Sequence, residues 1–179
     1  MSNRKESTLA ALLEDRPRRG RPRHKVSRQN VYVALTTEQK STMQQVARIL
    51  HEGLGRADIA DMAIDLLAAK LELLRRAVAD RNREIPEGIT DIDSLYLLWD
   101  LPLQGKHNEA KWTSVRVSPQ EVIELGRAHG VLNAIFGVTR SDVFALSLSL
   151  LKQFLENDLA DRPYGSVEDV RDWIADIYL

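Results

Sequence analysis

The feature that most constrains this fold is a single short strand that is followed at once by helices. Apolar side chains alternate along it at Val31, Val33 and Leu35, which predicts one buried face and one open face. No second β-rich run follows until residues 113–117. Backbone N–H and C=O groups on strand edges need hydrogen-bond partners. We therefore expect the two distant strands to pair.

The second strand is again followed by two helical segments. The sequence therefore indicates that a unit of one strand and two helices occurs twice in the chain. Thr36 to Gln39 predicts a capping box at the first helix of the first unit. Ser118 to Glu121 predicts a capping box for its counterpart, with proline at the first helical position. The equivalent positions indicate an internal repeat.

The second helices of the two units also begin alike. Gly55-Arg56-Ala57-Asp58 precedes one apolar run and Thr139-Arg140-Ser141-Asp142 precedes the other, with a shift of spacing confined to the turn. The first of these helices is expected to run from about Arg56 to Ala79. Its apolar residues cover more than one stripe, which predicts burial on both sides.

Five segments follow from this pattern. A disordered basic arm is predicted at 1–27, repeats at 28–82 and 112–158, a connector at 83–111 and an acidic amphipathic helix at 159–179. The connector is expected to hold a short helix with an apolar face of Leu95, Tyr96, Leu98 and Trp99. The C-terminal helix is expected to cover the repeats, or else to bind another protein.

The net charge of -1 conceals a gradient along the chain. Residues 1–30 contain nine Lys or Arg against three acids, whereas residues 156–179 contain seven acids against two Arg. A basic arm at the front of the chain favours an anionic partner.

The arm contains Arg19-Gly20-Arg21-Pro22, which resembles the core of an AT-hook. Glycine lets a backbone lie deep in a narrow groove, and flanking arginines are attracted to the negative potential of A·T tracts. The alternative is a basic linker or targeting tail. The residues expected in the minor groove are Arg18, Arg19, Gly20, Arg21, Pro22 and Arg23.

Enzyme chemistry finds no support in the sequence. There is no cysteine, and four widely separated histidines lack a second ligand at metal spacing. We expect no catalytic site, metal or cofactor. No apolar run approaches the ~20 residues needed to cross a membrane, so a cytoplasmic protein is expected.

A strand, a helix, a glycine-containing turn and a second helix resemble the ribbon-helix-helix family of DNA-binding proteins over residues 28–74 and 112–156. The resemblance implies a mainly α fold in which two repeats share an antiparallel two-stranded ribbon that enters the major groove. The repeats are expected to pair within one chain, as in tandem members, or between two chains. Intramolecular pairing is favoured because unequal strands then form one asymmetric reader.

By the same resemblance, outward ribbon side chains read bases and the start of each second helix contacts phosphate, where helix N-termini favour anions. Arg116 is the sharpest base reader, since arginine can bind guanine through two hydrogen bonds. Tyr32 and Ala34 depart from the polar readers expected, and Gly55 replaces a hydroxyl cap. The ribbon residues are Asn30, Tyr32, Ala34, Ser114 and Arg116, with Trp112 at the margin, and the phosphate residues are Gly55, Arg56, Thr139, Arg140 and Ser141.

Two functions are therefore expected from the sequence. The first is a nucleoid-associated transcriptional regulator or nucleoid-type architectural factor that binds double-stranded, A·T-rich DNA. The alternative is an antitoxin-like or adaptor scaffold, in which the repeats dimerise and the connector or acidic tail binds a protein.

Overall fold

The computed structural model describes residues 27–50, 54–80, 88–105 and 109–179 of the chain. The described part is mainly helical, with one antiparallel two-stranded sheet. In chain order the elements are β1 (Gln29–Leu35), α1 (Thr37–Ile49), α2 (Arg56–Asp80), α3 (Ile92–Leu98), β2 (Lys111–Val117), α4 (Pro119–Phe136), α5 (Arg140–Gln153) with a π-helical turn at Phe154–Asp158, and α6 (Val167–Tyr178).

The two strands pair with each other inside the chain, as expected. Val31 lies opposite Val115, Val33 opposite Thr113 and Leu35 opposite Lys111. Val33 and Val117 are fully buried and Val31 and Val115 nearly so, because one face of the sheet packs on the helices. The alternation of apolar residues thus sets which face of the ribbon is left open.

Two helices form the centre of the core. Helix α5 is buried continuously from Val143 to Leu151, and α2 is buried on several sides between Ile59 and Leu67. The start of α2 at Arg56 agrees with the sequence pattern. Its all-round burial also agrees with an apolar surface wider than one stripe. Each of α2 and α5 follows a helix that begins directly after a strand.

Capping differs between α1 and α4. Thr36 and Gln39 form the predicted capping box, with Gln39 N–H donating to Thr36 Oγ1 at 3.1 Å. The box predicted at Ser118 is wrong. Instead of accepting from the helix backbone, the Ser118 hydroxyl donates to Glu121 Oε2 at 2.6 Å, because Glu121 is buried and needs local donors. Gly137, with φ 68°, ends α4 in the left-handed region.

The connector contains the expected short helix, α3, capped by Asp91, whose carboxylate accepts from Ser94 N–H at 2.8 Å. Leu95 and Tyr96 are buried, but the placement of Leu98 on the apolar face is wrong. Leu98 is 48% exposed, since the helix ends there and Leu101 fills the core instead.

The C-terminal helix α6 packs along α2, with Val170 and Ile174 buried. Ser166 and Asp169 form its capping box. Among the described residues, no single helix is long and apolar enough to span a membrane. Helices α4 and α5 taken together have the length and apolar composition of a membrane span, but they meet at a bend of 111°.

Candidate nucleic-acid interface

The open side of the β1–β2 sheet brings the sequence-predicted ribbon residues together. We call the six side chains on this side the ribbon face. Tyr32 is 63% exposed and Trp112 is 75% exposed, which is unusual for aromatic residues on a folded protein. The others are exposed or, for Ala34, half-buried. The ribbon face comprises Asn30, Tyr32, Ala34, Trp112, Ser114 and Arg116.

The strand register arranges these residues in three cross-strand pairs. Asn30 lies opposite Arg116, Tyr32 opposite Ser114, and Ala34 opposite Trp112. Directly opposed residues of an antiparallel pair project to the same side of the sheet. Trp112, which sequence reasoning placed at the margin, is therefore a full member of the ribbon face.

The charge along the strands is positive. Neither strand contains an acidic residue, and Lys111 and Arg116 are both exposed. Arg28 lies directly before β1, but it forms ion pairs within the fold. Its guanidinium pairs with Asp58 and lies 3.2 Å from Asp61 Oδ2, which ties the start of β1 to α2.

The predicted phosphate residues at the start of α5 are engaged within the protein through their hydroxyl groups. Ala34 N–H donates to Ser141 Oγ at 2.8 Å, which fixes the helix start beside β1. Thr139 Oγ1 accepts from Asp142 N–H at 3.3 Å and donates to Asp142 Oδ2 at 2.7 Å. The Arg140 side chain is exposed at the same position.

The start of α2 is built in a similar way without a hydroxyl. Gly55 N–H donates to Asp58 Oδ2 at 2.6 Å, as Thr139 N–H donates to Asp142 Oδ2 at 2.8 Å. Each helix start thus binds its own carboxylate, which competes with an incoming anion for the same amides. Arg56 and Arg140 are exposed at these two helix starts, and an arginine guanidinium is able to bind a phosphate through two hydrogen bonds.

The residues of the arm from Arg18 to Arg23 lie outside the described part of the chain. Within the described part, no three His, Asp or Glu side chains are grouped in a way that would hold a metal ion.

No family model, curated protein or solved structure matches this chain.

Behind the ribbon lies a buried charged network that sequence reasoning missed. Glu121 is 1% exposed, and its carboxylate binds the Arg171 guanidinium, which also donates from Nε to Asp65 Oδ2 at 2.6 Å. Asp61 accepts from Ser118 N–H at 2.9 Å. The network therefore ties together α2, the end of β2 and helices α4 and α6. The signal available in the sequence was two acids, Asp61 and Asp65, one turn apart within an apolar run.

Burial raises the pKa values of two carboxyl groups in this network. Desolvation raises the pKa of Asp65 to about 7, although the hydrogen bond from Arg171 opposes the shift. Burial also raises the pKa of Asp61, against the effects of its bond from Ser118 and the charge of Arg28. These carboxylates are bonded within the fold, so we assign them a structural role.

Helices α2, α4 and α6 also enclose a groove of about 930 Å³, which sequence reasoning did not predict. Apolar side chains such as Leu71, Leu74 and Ile135 form most of its wall. Val131 lines the groove and is 53% exposed, as is Ile123 elsewhere on α4. A patch of this kind on a folded chain is typical of an interaction surface.

Proposed function

We propose that this protein binds double-stranded DNA in the manner of a tandem ribbon-helix-helix protein. The ribbon face enters the major groove, and the arginine arm follows an adjacent A·T-rich minor groove. Such a protein regulates transcription or shapes DNA. The observation that carries the proposal is the β1–β2 register, which gathers all the predicted ribbon residues on one exposed face.

The register also supports the idea of two equivalent units. The sequence match equates Val33 with Val115, and by the same offset it equates Tyr32 with Ser114. Tyr32 and Ser114 are direct partners in the sheet. When two copies are related by an approximate two-fold axis, equivalent residues meet at that axis, as these two do.

The dimensions and charge suit a duplex. The major groove of B-DNA is about 12 Å wide and admits a two-stranded ribbon. Arg28 and Ser118 place the start of α2 at one end of the ribbon, whereas Ser141 places the start of α5 beside Ala34 near the other. Arg56 and Arg140 thus flank the ribbon, where phosphates of the two groove walls would lie.

The test is a salt titration of binding to an A·T-rich duplex. We expect the affinity to fall by about 10³-fold between roughly 50 and 200 mM salt. The reason is that basic side chains of the ribbon, the helix starts and the arm together displace many counterions from the DNA phosphates. Deletion of residues 16–25 removes six Lys or Arg and should make this salt dependence shallower. Fluorescence anisotropy measures both.

Arg127→Ala is the matched control. Arg127 is exposed on α4, is paired with Glu124 and lines the groove between α2, α4 and α6 rather than the ribbon face, so its loss should leave binding and its salt dependence unchanged. Absence of binding at low salt, or binding that is indifferent to salt, would contradict the proposal.

The groove favours a second candidate function, that of a scaffold that binds another protein. Its apolar wall at Leu71 and Leu74, with the exposed apolar surface of α4, is of a kind that proteins bury on association. A scaffold without DNA binding predicts no steep salt dependence in the same titration. Val131→Asp provides a further distinction, since it should impair a scaffold while leaving duplex affinity intact.

A further inference from the structure

The two ends of the ribbon face differ in chemistry. At one end, Asn30 and Arg116 lie side by side and provide hydrogen-bonding groups. At the other, Ala34 and Trp112 lie side by side and present a mainly apolar surface. Tyr32 and Ser114 separate the two ends. Because both strands belong to one chain, no symmetry operation makes the ends equal.

We infer that the ribbon reads a non-palindromic duplex in a single orientation, with a G·C pair at the Arg116 end and an A·T pair at the Trp112 end. This inference rests on the proposed function and adds the base preference of the site. Arginine pairs with the O6 and N7 atoms of guanine. Apolar side chains contact the C5 methyl group of thymine, which no other DNA base carries.

The length of the face sets the size of the site. Four residue steps separate Asn30 from Ala34, which is ~13 Å along a strand. At ~3.4 Å per base pair this distance covers about four base pairs. Turning the duplex round would place thymine methyl groups on Arg116 and guanine on Trp112, which leaves polar edges without partners. One orientation is therefore preferred.

The experiment selects bound sequences from short duplexes whose central base pairs are randomised. Wild-type protein should enrich a non-palindromic site, with a G·C pair at one end and an A·T pair at the other. Arg116→Ala should remove the preference at the G·C end alone. Trp112→Ala should remove it at the A·T end alone. Both side chains are exposed, and circular dichroism would confirm that the variants fold.

Replacing thymine by uracil in the selected duplex isolates the methyl contact. Loss of one methyl group should weaken wild-type binding about fourfold and leave Trp112→Ala unaffected. A palindromic selected site, or loss of preference at both ends in either single variant, would overturn the inference. Failure to bind any duplex at low salt would instead reject the proposed function itself, so the two failures are distinguishable.

Discussion

Phe144→Ala is expected to lower the free energy of unfolding by about 4 kcal/mol, the largest effect that we predict for a single substitution. Phe144 is fully buried in α5, the helix that begins beside β1 and is buried along most of its length. Removal of its ring loses the free energy of burial and leaves a cavity that close-packed helices fill only in part. Urea unfolding followed by circular dichroism measures the change.

Ile123→Ala is the matched control for this substitution. Ile123 is also apolar, but it is 53% exposed on α4, so its truncation should cost less than about 0.5 kcal/mol. Equal losses for the two variants would contradict the placement of α5 at the centre of the core. Phe144→Leu, which keeps part of the volume, should fall between them.

Arg171→Met should destabilise the protein by about 3 kcal/mol, near the low end for a broken buried ion pair. The substitution keeps an unbranched apolar chain but leaves the carboxylates of Asp65 and Glu121 without their shared cation. Glu121 is 2% exposed at its side chain, so solvent cannot replace the lost partner. Because the Arg171 side chain is 39% exposed, we expect less than the full penalty of a buried pair.

The control is Arg127→Met, which removes an arginine from an exposed pair with Glu124 on one helix. Its effect should stay below about 0.5 kcal/mol. Adding Glu121→Gln to Arg171→Met should recover part of the lost stability, since the unpaired buried charge is then gone. A loss for Arg171→Met no larger than that for Arg127→Met would show that the network does not hold α6 to the fold.

The strands, the second helices and the exposed ribbon residues could be predicted because they depend on local periodicity. Alternation at Val31, Val33 and Leu35 fixes which side of β1 faces the core, whatever its partner. The start of α2 at Arg56 follows from a turn glycine and an acid three residues later, which together act as a cap. Such signals lie within a few residues of each other in the sequence.

The features that were missed depend on contacts between distant residues. Glu121 resembles a capping residue in sequence, but its carboxylate meets Arg171 fifty residues away, and that contact decides its role. The hydrogen bond that the Ser141 hydroxyl accepts from Ala34 N–H in β1 joins residues 107 positions apart, so no local pattern predicts it. The groove between α2, α4 and α6 is set by the angles between helices, which no periodicity records.

The pairing of β1 with β2 inside one chain is tested most directly by a disulfide between Tyr32→Cys and Ser114→Cys. Ala34 N–H donates to Ser141 and therefore points away from β2. Residues two apart on a strand have the same hydrogen-bonding type, so Tyr32 and Ser114 form a non-hydrogen-bonded pair. The Cα atoms of such a pair lie ~4.5 Å apart, a separation that a disulfide bond can span. The natural chain has no cysteine, so no other bond competes.

Mild oxidation, followed by electrophoresis under denaturing, non-reducing conditions, should give a faster-migrating monomer that reverts on reduction. Asn30→Cys with Trp112→Cys, at opposite ends of the ribbon, is the control and should not form this species. A covalent dimer of the Tyr32→Cys, Ser114→Cys protein, or the absence of any bond, would contradict pairing of the two strands within one chain.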